Sequence, residues 1–287
     1  MLAVIGTIPD NNFPLQAGLA KRQGEDLLIE GHKVKINRGT TALIAAAWEI
    51  DRLVSPKGVF CYLVGDIGRG EGSKKLYTYL QNHLKKTNFS TLVFHYILPD
   101  IDGHNRVLLA IEEIAKKPVL IADAGYMYAA KMSGQAPAYD LFTPDVGELA
   151  FLADEQAPHP FYTRGFILHE EKHVPDLIAR SYAHENAARY LLVKGKIDYL
   201  ANQQGIIAKI EEPCVEALEA IGGTGDTLTG MVGALVASGK EIVEAAILGA
   251  RLNRLAGYLA NPDPGTSVRE IIKYIPEAWK QLTIDHF

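Results

Sequence analysis

Short runs of β-branched, aliphatic and aromatic residues alternate along this chain with longer segments of helical period. The apolar runs lie at residues 2–6, 58–65, 91–96, 118–122 and 190–193. Helical segments follow most of them, and they include residues 40–53, 224–238 and 241–260. Such alternation predicts βαβ units. We therefore expect an α/β fold with a mostly parallel central sheet and helices on both faces.

The chain is long enough to bury a large core without disulfides, and no low-complexity linker divides it. We predict a single domain over residues 1–287. Residues 26–36 break at a glycine and predict a hairpin that could edge or cover the sheet, as a lid. Residues 155–175 carry prolines, histidines and aromatics close together, which predicts a surface insertion.

The charge balance argues against two classes of partner. The net charge is −5 and there is no run of basic residues, so a nucleic-acid or anionic-membrane surface is not expected. No apolar run approaches the roughly 20 residues of a membrane helix. Two cysteines leave no room for a disulfide framework. We expect a cytoplasmic protein.

A glycine-rich turn, GGTGDTLTG at residues 222–230, stands where a helical segment begins. The start of a helix presents unpaired N–H groups and the positive end of its dipole. Glycines let an anion approach this backbone closely. The turn therefore predicts a pocket for phosphoryl oxygens.

Asp226 is unexpected in such a pocket, because its carboxylate would repel a bound phosphate. A general base that takes the proton of an attacking hydroxyl would explain it. The alternative is a carboxylate that only stabilises the first turn of the helix.

The segment GGTGDTLTGM resembles the anion-hole signature of ribokinase-like proteins. It is more similar to that of the ADP/ATP-dependent NAD(P)H-hydrate dehydratases than to that of the sugar kinases. The resemblance implies a ribokinase-like three-layer sandwich that binds ATP or ADP. It also implies that Gly223, Thr224 and Gly225 form the anion hole and that Asp226 is the catalytic acid–base.

Two further segments carry the resemblance. YLLVKG at 190–195 implies that Lys194 reaches the nucleotide phosphates, the alternative being a solvated lysine at a turn. TPDVGE at 143–148 is similar to the family's TPHPGE. It implies that Glu148 organises Mg²⁺ and its water shell and that Thr143 and Asp145 lie on the substrate side. Asp145 replaces the usual histidine, and the following valine replaces a proline, so substrate identity stays open.

Weaker likenesses concern two other turns. IADA at 121–124 resembles the family's DADA, so Asp123 either contacts substrate or caps the helix that follows. GDIGRG at 65–70 resembles its GPGLG turn, with Asp66 in place of proline, which implies that Gly68 lies on the substrate side. The turn lacks the Gly-Lys-Ser/Thr ending of a phosphate-binding Walker loop.

HEEKH at residues 169–173 matches the zinc-protease pattern His-Glu-x-x-His. That chemistry needs both histidines on one face of a long helix. Pro175 would disrupt such a helix, so we interpret the match as chance.

Three functional hypotheses remain from the sequence. The first is a nucleotide-dependent dehydratase that phosphorylates and then eliminates a hydroxyl of hydrated NAD(P)H. The second is an ATP-dependent kinase for a small hydroxylated molecule such as a sugar or vitamin. The third is a nucleotide-binding sensor without turnover, against which the intact Asp226 and Glu148 argue. Analogy with the fold group also suggests a homo-oligomer.

Overall fold

The computed structural model describes residues 1–155 and 173–284. Their strands are β1 (Leu2–Ile8), β2 (Gln16–Gln23), β3 (Asp26–Ile29), β4 (His32–Lys35), β5 (Val59–Gly65), β6 (Thr91–His95), β7 (Val119–Ala122), β8 (Leu141–Phe142), β9 (Tyr190–Val193), β10 (Asp198–Asn202) and β11 (Gly205–Ile210). The helices are α1 (Thr40–Val54), α2 (Glu71–His83), α3 (Ile101–Glu112), α4 (Gly125–Met132), α5 (Val146–Ala153), α6 (Val174–Ala183), α7 (Thr224–Ser238), α8 (Ile242–Leu259), α9 (Val268–Ile272) and α10 (Ile275–Ile284).

All eleven strands form one sheet, in the order β11-β10-β9-β8-β7-β6-β1-β5-β2-β3-β4. The six central strands, from β9 to β5, are parallel to their neighbours. Antiparallel strands extend the sheet at both ends. The predicted α/β class with a mostly parallel central sheet is confirmed, and so is its helical covering.

The central strands are apolar on both faces because helices cover both. Every residue of β1 is buried. Helices α1, α7, α8, α9 and α10 pack against one face of the sheet and share one apolar cluster. Helices α2 to α6 cover the other face and share a second cluster. Because both faces of these strands are buried, their sequences are continuous apolar runs rather than alternating patterns.

Two glycines set the close packing that brings the site together. A Cβ on Gly230 of α7 would lie 2.1 Å from the carbonyl oxygen of Leu43, so α1 and α7 touch through backbone. A Cβ on Gly6 of β1 would lie 2.5 Å from the carbonyl oxygen of His95 and 2.8 Å from Thr40 Cγ2. The starts of α1 and α7 and the end of β6 can therefore lie side by side.

Several boundaries differ from the sequence-based expectations. The hairpin predicted at residues 26–36 exists as β3 and β4, but β2, which joins it to the main sheet, was not predicted. The helix expected over 176–190 ends at Ala183. The helix expected over 268–282 divides into α9 and α10 because Pro276 lacks an N–H and would clash within a continuous helix.

Other expectations remain predictions. The single-domain organisation and the lid role of residues 26–36 are among them. Most of the predicted insertion, and all of the HEEKH pattern except His173, lie outside the described residues. None of the helices within 1–155 and 173–284 has the length and apolar character needed to cross a membrane.

Candidate active site

Polar side chains converge where three parallel strands end and α7 begins. His95 is the last residue of β6, Asp123 follows β7, and Lys194 follows β9. All three strands point the same way, so their carboxyl ends meet at one edge of the sheet. Ligands of open α/β sheets bind at this edge.

The glycine-rich turn opens α7 as predicted, and its role as an anion pocket stays a prediction. Gly223 caps α7 in the left-handed region, with φ 107°. The first intrahelical bond runs from the N–H of Thr227 to the carbonyl of Gly223, so the N–H groups of Thr224, Gly225 and Asp226 have no acceptor inside the helix. These groups, at the positive end of the helix dipole, can hold phosphoryl oxygens.

Asp226 lies in the first turn of α7, and both of its oxygens are held by distant parts of the chain. The N–H of Gly39 donates to Oδ2 at 2.6 Å, and Nε2 of His95 lies 2.9 Å from Oδ1. Gly39 immediately precedes α1 and has φ 78°, a conformation that favours glycine. The carboxylate is therefore fixed in orientation, while its side chain keeps 12% exposure.

The surroundings of Asp226 favour its ionised form. Burial alone would raise the pKa of Asp226, but the hydrogen bond and charge of His95, the charge of Lys194 and the N–H of Gly39 lower it below the ordinary value. The group is thus an anion near neutral pH and can accept a proton.

Asp123 and Lys194 form a buried ion pair beside Asp226. The Lys194 Nζ lies 2.8 Å and 2.9 Å from the two oxygens of Asp123. The hydroxyl of Thr229 donates to Asp123 Oδ2 at 2.6 Å and lies 2.9 Å from Thr143 Oγ1. Asp123 does not cap α4, whose N-cap is Ala124 without a side-chain bond, so the capping alternative is wrong.

Lys194 is not a solvated lysine at a turn, since its side chain is only 13% exposed. Burial would lower the pKa of Lys194, but Asp123 and Glu148 outweigh that effect and raise it. A Cβ on Gly225 would lie 3.4 Å from Lys194 Cδ. The ammonium therefore stands beside the anion pocket.

Arg254 of α8 binds the turn that follows Lys194. Arg254 Nε donates to Asp198 at 2.7 Å, and its Nη2 donates to the carbonyls of Gly195 and Lys196 at 3.0 Å and 2.9 Å. This buried guanidinium fixes the backbone from which Lys194 extends.

Glu148 and Asp145 form a capping box at the start of α5. The N–H of Asp145 donates to Glu148 Oε2 at 2.8 Å, and the N–H of Glu148 donates to Asp145 Oδ1 at 2.7 Å. Burial, followed by the charge of Asp145, raises the pKa of Glu148 well above its ordinary value. The aspartate in the family's histidine position thus has a structural use as a helix cap.

Gly68 belongs to a different environment. Its N–H donates to Asp66 Oδ1 at 3.0 Å, and a Cβ on it would meet nothing within 4 Å. The structure joins Gly68 to the start of α2 rather than to the hydrogen-bonded network of Asp226 and Asp123. Its place on the substrate side remains a prediction.

Sequence reasoning missed His95, Thr40 and Thr229. His95 is fully buried, and its Nδ1 lies 2.9 Å from Thr40 Oγ1. The available signal was a histidine ending an otherwise apolar strand, TLVFH, at a carboxyl end where sites form. Thr229 lies one helical turn after Gly225, so it faces the same side of α7.

The fold and this site define a protein of the ribokinase-like class, and comparisons with known proteins agree. The family model described as NAD(P)H-hydrate dehydratase, Carb_kinase, matches residues 100–277, more than half of the chain. The chain belongs to this family, whose members are enzymes.

The relatives found by sequence comparison are of two kinds, an uncharacterized protein and bifunctional repair enzymes. The uncharacterized protein MJ1337 of Methanocaldococcus jannaschii is 44% identical over 237 residues, covering 82% of this chain and 97% of that protein. The bifunctional NAD(P)H-hydrate repair enzyme Nnr of Pyrobaculum aerophilum is 25% identical over 60% of this chain. That match spans only 32% of the bifunctional enzyme.

Solved structures share the fold at low identity. The ADP/ATP-dependent NAD(P)H-hydrate dehydratase of Bacillus subtilis, crystallised with ATP/Mg²⁺, has a TM-score of 0.57 at 16% identity, covering 98% of this chain and 89% of that one. Pyridoxal kinase of the same species, as an ADP complex, has a TM-score of 0.54 at 15% identity, covering 87% and 88%.

Proposed function

We propose that this protein is a nucleotide-dependent dehydratase that repairs hydrated NAD(P)H by phosphorylating and then eliminating the ring hydroxyl. The observation that carries the proposal is the fixed carboxylate of Asp226, which stands at the anion pocket of α7. The family match, and the Nnr relatives in particular, support this substrate over other hydroxylated molecules.

Asp226 acts as the general base in this proposal. Its lowered pKa leaves it ionised, and it takes the proton of the substrate hydroxyl as that oxygen attacks phosphorus. Phosphorylation converts hydroxide, a poor leaving group, into phosphate, a good one. Loss of phosphate, together with a proton from the neighbouring ring carbon, then restores the ring double bond.

The pocket residues fit a nucleotide. The N–H groups of Thr224, Gly225 and Asp226 would receive the charge that develops on the transferring phosphoryl group. Lys194 stands beside Gly225, and Arg38 lies against the preceding glycines, where a Cβ on Gly222 would be 3.3 Å from Arg38 Cδ. Lys194 therefore borders the pocket, and the exposed side chain of Arg38 begins beside the same turn.

The carboxylates at the start of α5 fit Mg²⁺, whereas Asp123 is already paired with Lys194. Asp145 and Asp123 act on Glu148 against the single charge of Lys194, and the raised pKa of Glu148 reflects burial together with this excess of negative charge. A divalent cation bound with nucleotide phosphates would neutralise that excess. Glu148 would hold it through its water shell, and the ion would stabilise charge on the phosphoryl oxygens.

A kinase for a small hydroxylated molecule is the second candidate. Asp145 and Val146 depart from the family pattern at positions that the resemblance places on the substrate side. The same base and anion pocket would serve a kinase without the elimination step.

The test is recovery of NADH absorbance from hydrated NADH with Mg²⁺ and either ADP or ATP. We expect recovery that requires nucleotide and falls at least 10²-fold in Asp226→Asn, while nucleotide binding, measured by thermal shift, persists.

Asp51→Asn is the matched control, since Asp51 lies in the last turn of α1, at the far end from Gly39, and its carboxylate accepts the N–H groups of Lys57 and Gly58. Normal nucleotide binding without NADH recovery would contradict the dehydratase and direct the search to hydroxylated metabolites. Equal rates in the Asp226 variant and the wild type would contradict both the dehydratase and the kinase hypotheses.

A further inference from the structure

A histidine with no assigned role contacts the catalytic carboxylate. His95 has no solvent exposure, yet it carries two polar ring atoms that burial would leave costly without partners. Both have partners: Nε2 lies 2.9 Å from Asp226 Oδ1, and Nδ1 lies 2.9 Å from Thr40 Oγ1.

The chemistry of these partners decides where the ring proton is. An ionised carboxylate only accepts hydrogen bonds, so Nε2 must carry a proton and donate it to Asp226. A hydroxyl can donate or accept, so Thr40 satisfies Nδ1 in either protonation state of the ring. His95 therefore reaches Asp226 as a donor in both states.

The fold holds the ring in this position. Gly6 leaves room for Thr40 and for the backbone of His95. The ring of Tyr96 packs edge-on against the imidazole, with centroids 4.3 Å apart. The imidazole is thus fixed on several sides before any ligand binds.

A metal ion is a poorer explanation of the same cluster. His95, Asp123 and Asp226 offer ligand atoms within 4.8 Å of one another. However, the ammonium of Lys194 already lies 2.8–2.9 Å from both oxygens of Asp123, and a bound cation would face this charge at close range.

We propose that His95 is a positioning residue of the catalytic site, which fixes the orientation and the charge of Asp226 and is itself oriented by Thr40. The proposal rests on the general-base role of Asp226 given above. Without His95, the carboxylate would keep only the Gly39 N–H as a direct donor in the described part of the chain, and it could rotate.

The groups that face Asp226 also include other charges, which a pH experiment must hold constant. From the elements packed around it these are His95, Tyr96, Asp123, Lys194 and, beside the glycine turn, Arg38. Removing His95 alone leaves the rest in place, so the pKa of Asp226 should rise.

The first measurement needs no substrate. Aspartate labelled with ¹³C at the side-chain carboxyl reports the titration of Asp226, whose signal is assigned by its loss in Asp226→Asn. We expect the midpoint to move to higher pH in His95→Leu. We expect a smaller movement in Thr40→Val, and a partial return towards wild type in His95→Gln, whose amide can still donate.

His104→Gln is the matched control, because His104 is equally buried but bonds to Tyr139 and Ser133 instead. It should leave the Asp226 titration unchanged. If His95→Leu does not fold, Thr40→Val and His95→Gln still test the proposal. An Asp226 midpoint that is the same in every folded variant overturns it.

Activity provides the second readout. His95→Leu should lower kcat about 10-fold, part of the contribution of a general base, with nucleotide binding unchanged. The acid limb of the pH–rate profile should move to higher pH, since the base must be ionised to act. A moved carboxyl titration without turnover by the wild type would support the role of His95 and count against the proposed reaction alone.

Discussion

Two glycine-rich turns in this protein each contain an aspartate at the start of a helix, and they use it differently. Asp66, before α2, accepts the N–H groups of Gly68, Arg69 and Gly70 at 3.0 Å, and both the N–H and the hydroxyl of Ser73. All these donors lie within seven residues. Its carboxylate closes the turn in which it stands.

Asp226 has the opposite arrangement. Its donors, Gly39 and His95, come from 187 and 131 residues away. The N–H groups of its own turn are left for a ligand. Both turns combine glycines with an aspartate in their sequence. The turn at Asp66 is structural because the hydrogen-bond donors to its carboxylate are local, whereas the turn at Asp226 is a candidate site because its donors are distant.

The largest expected difference between the two turns is in rate. Asp226→Asn should lower the rate of NADH recovery at least 10²-fold, because the base is lost. Asp66→Asn should lower it far less, since its oxygen still accepts from the turn. Parallel assays of the two purified variants make the measurement, and similar losses would contradict the distinction.

A second difference concerns the glycines themselves. Gly223 and Gly68 both have positive φ, 107° and 89°. A Cβ on Gly223 would lie 3.1 Å from Arg38 Cα, whereas one on Gly68 would meet nothing. Gly223→Ala should therefore cost about 2–4 kcal/mol of unfolding free energy and Gly68→Ala about 1–2 kcal/mol.

Denaturant unfolding measures both values. Gly68→Ala also tests the predicted substrate-side position, because a changed KM with unchanged nucleotide affinity would support it. Equal destabilisation in the two alanine variants would mean that Arg38 and Val268 both move away without cost.

Removing the carboxylate of the local turn should mainly affect stability. Asp66→Ala leaves the buried N–H and hydroxyl of Ser73 without their acceptor and should cost about 1–3 kcal/mol in unfolding free energy. Chemical denaturation gives the number. A loss below a few tenths of a kcal/mol would show that water replaces the carboxylate.

The smallest expected effect is a pH dependence of stability at Asp66. Burial would raise the pKa of Asp66, but the N–H donors and the hydroxyl of Ser73 lower it below 3.8. The group therefore stabilises the fold fully above that value and loses its contribution as the pH falls through the lower folded pKa. The stability difference between wild type and Asp66→Asn should shrink from pH 6 to pH 2. A constant difference would refute the assignment.

Much of the fold could be predicted because its signals are local. Apolar strands buried on both faces, and a glycine turn opening α7, depend on neighbouring residues. Strand β2 was not predicted because its sequence, QAGLAKRQ, lacks a strong β pattern. Several of its residues are exposed in the structure. Its pairing with β5 depends on the rest of the sheet.

The site could be predicted only in part, because local motifs do not show which distant residues meet. The sequence pointed to Lys194 and Asp226 as separate motifs, whereas their connection through Asp123, Thr229 and His95 depends on strand order. Asp145 shows the converse, since a departure from the family pattern that suggested altered substrate contacts is also a good helix cap.

The two long-range hydrogen bonds to Asp226 also show how much of the candidate site the family match covers. The segment that matches the family, residues 100–277, includes Asp226 but neither Gly39 nor His95. The proposed base lies inside the matched segment, and its two hydrogen-bond partners lie outside it. Substitutions in the first hundred residues could retune the base while the family signature stays intact.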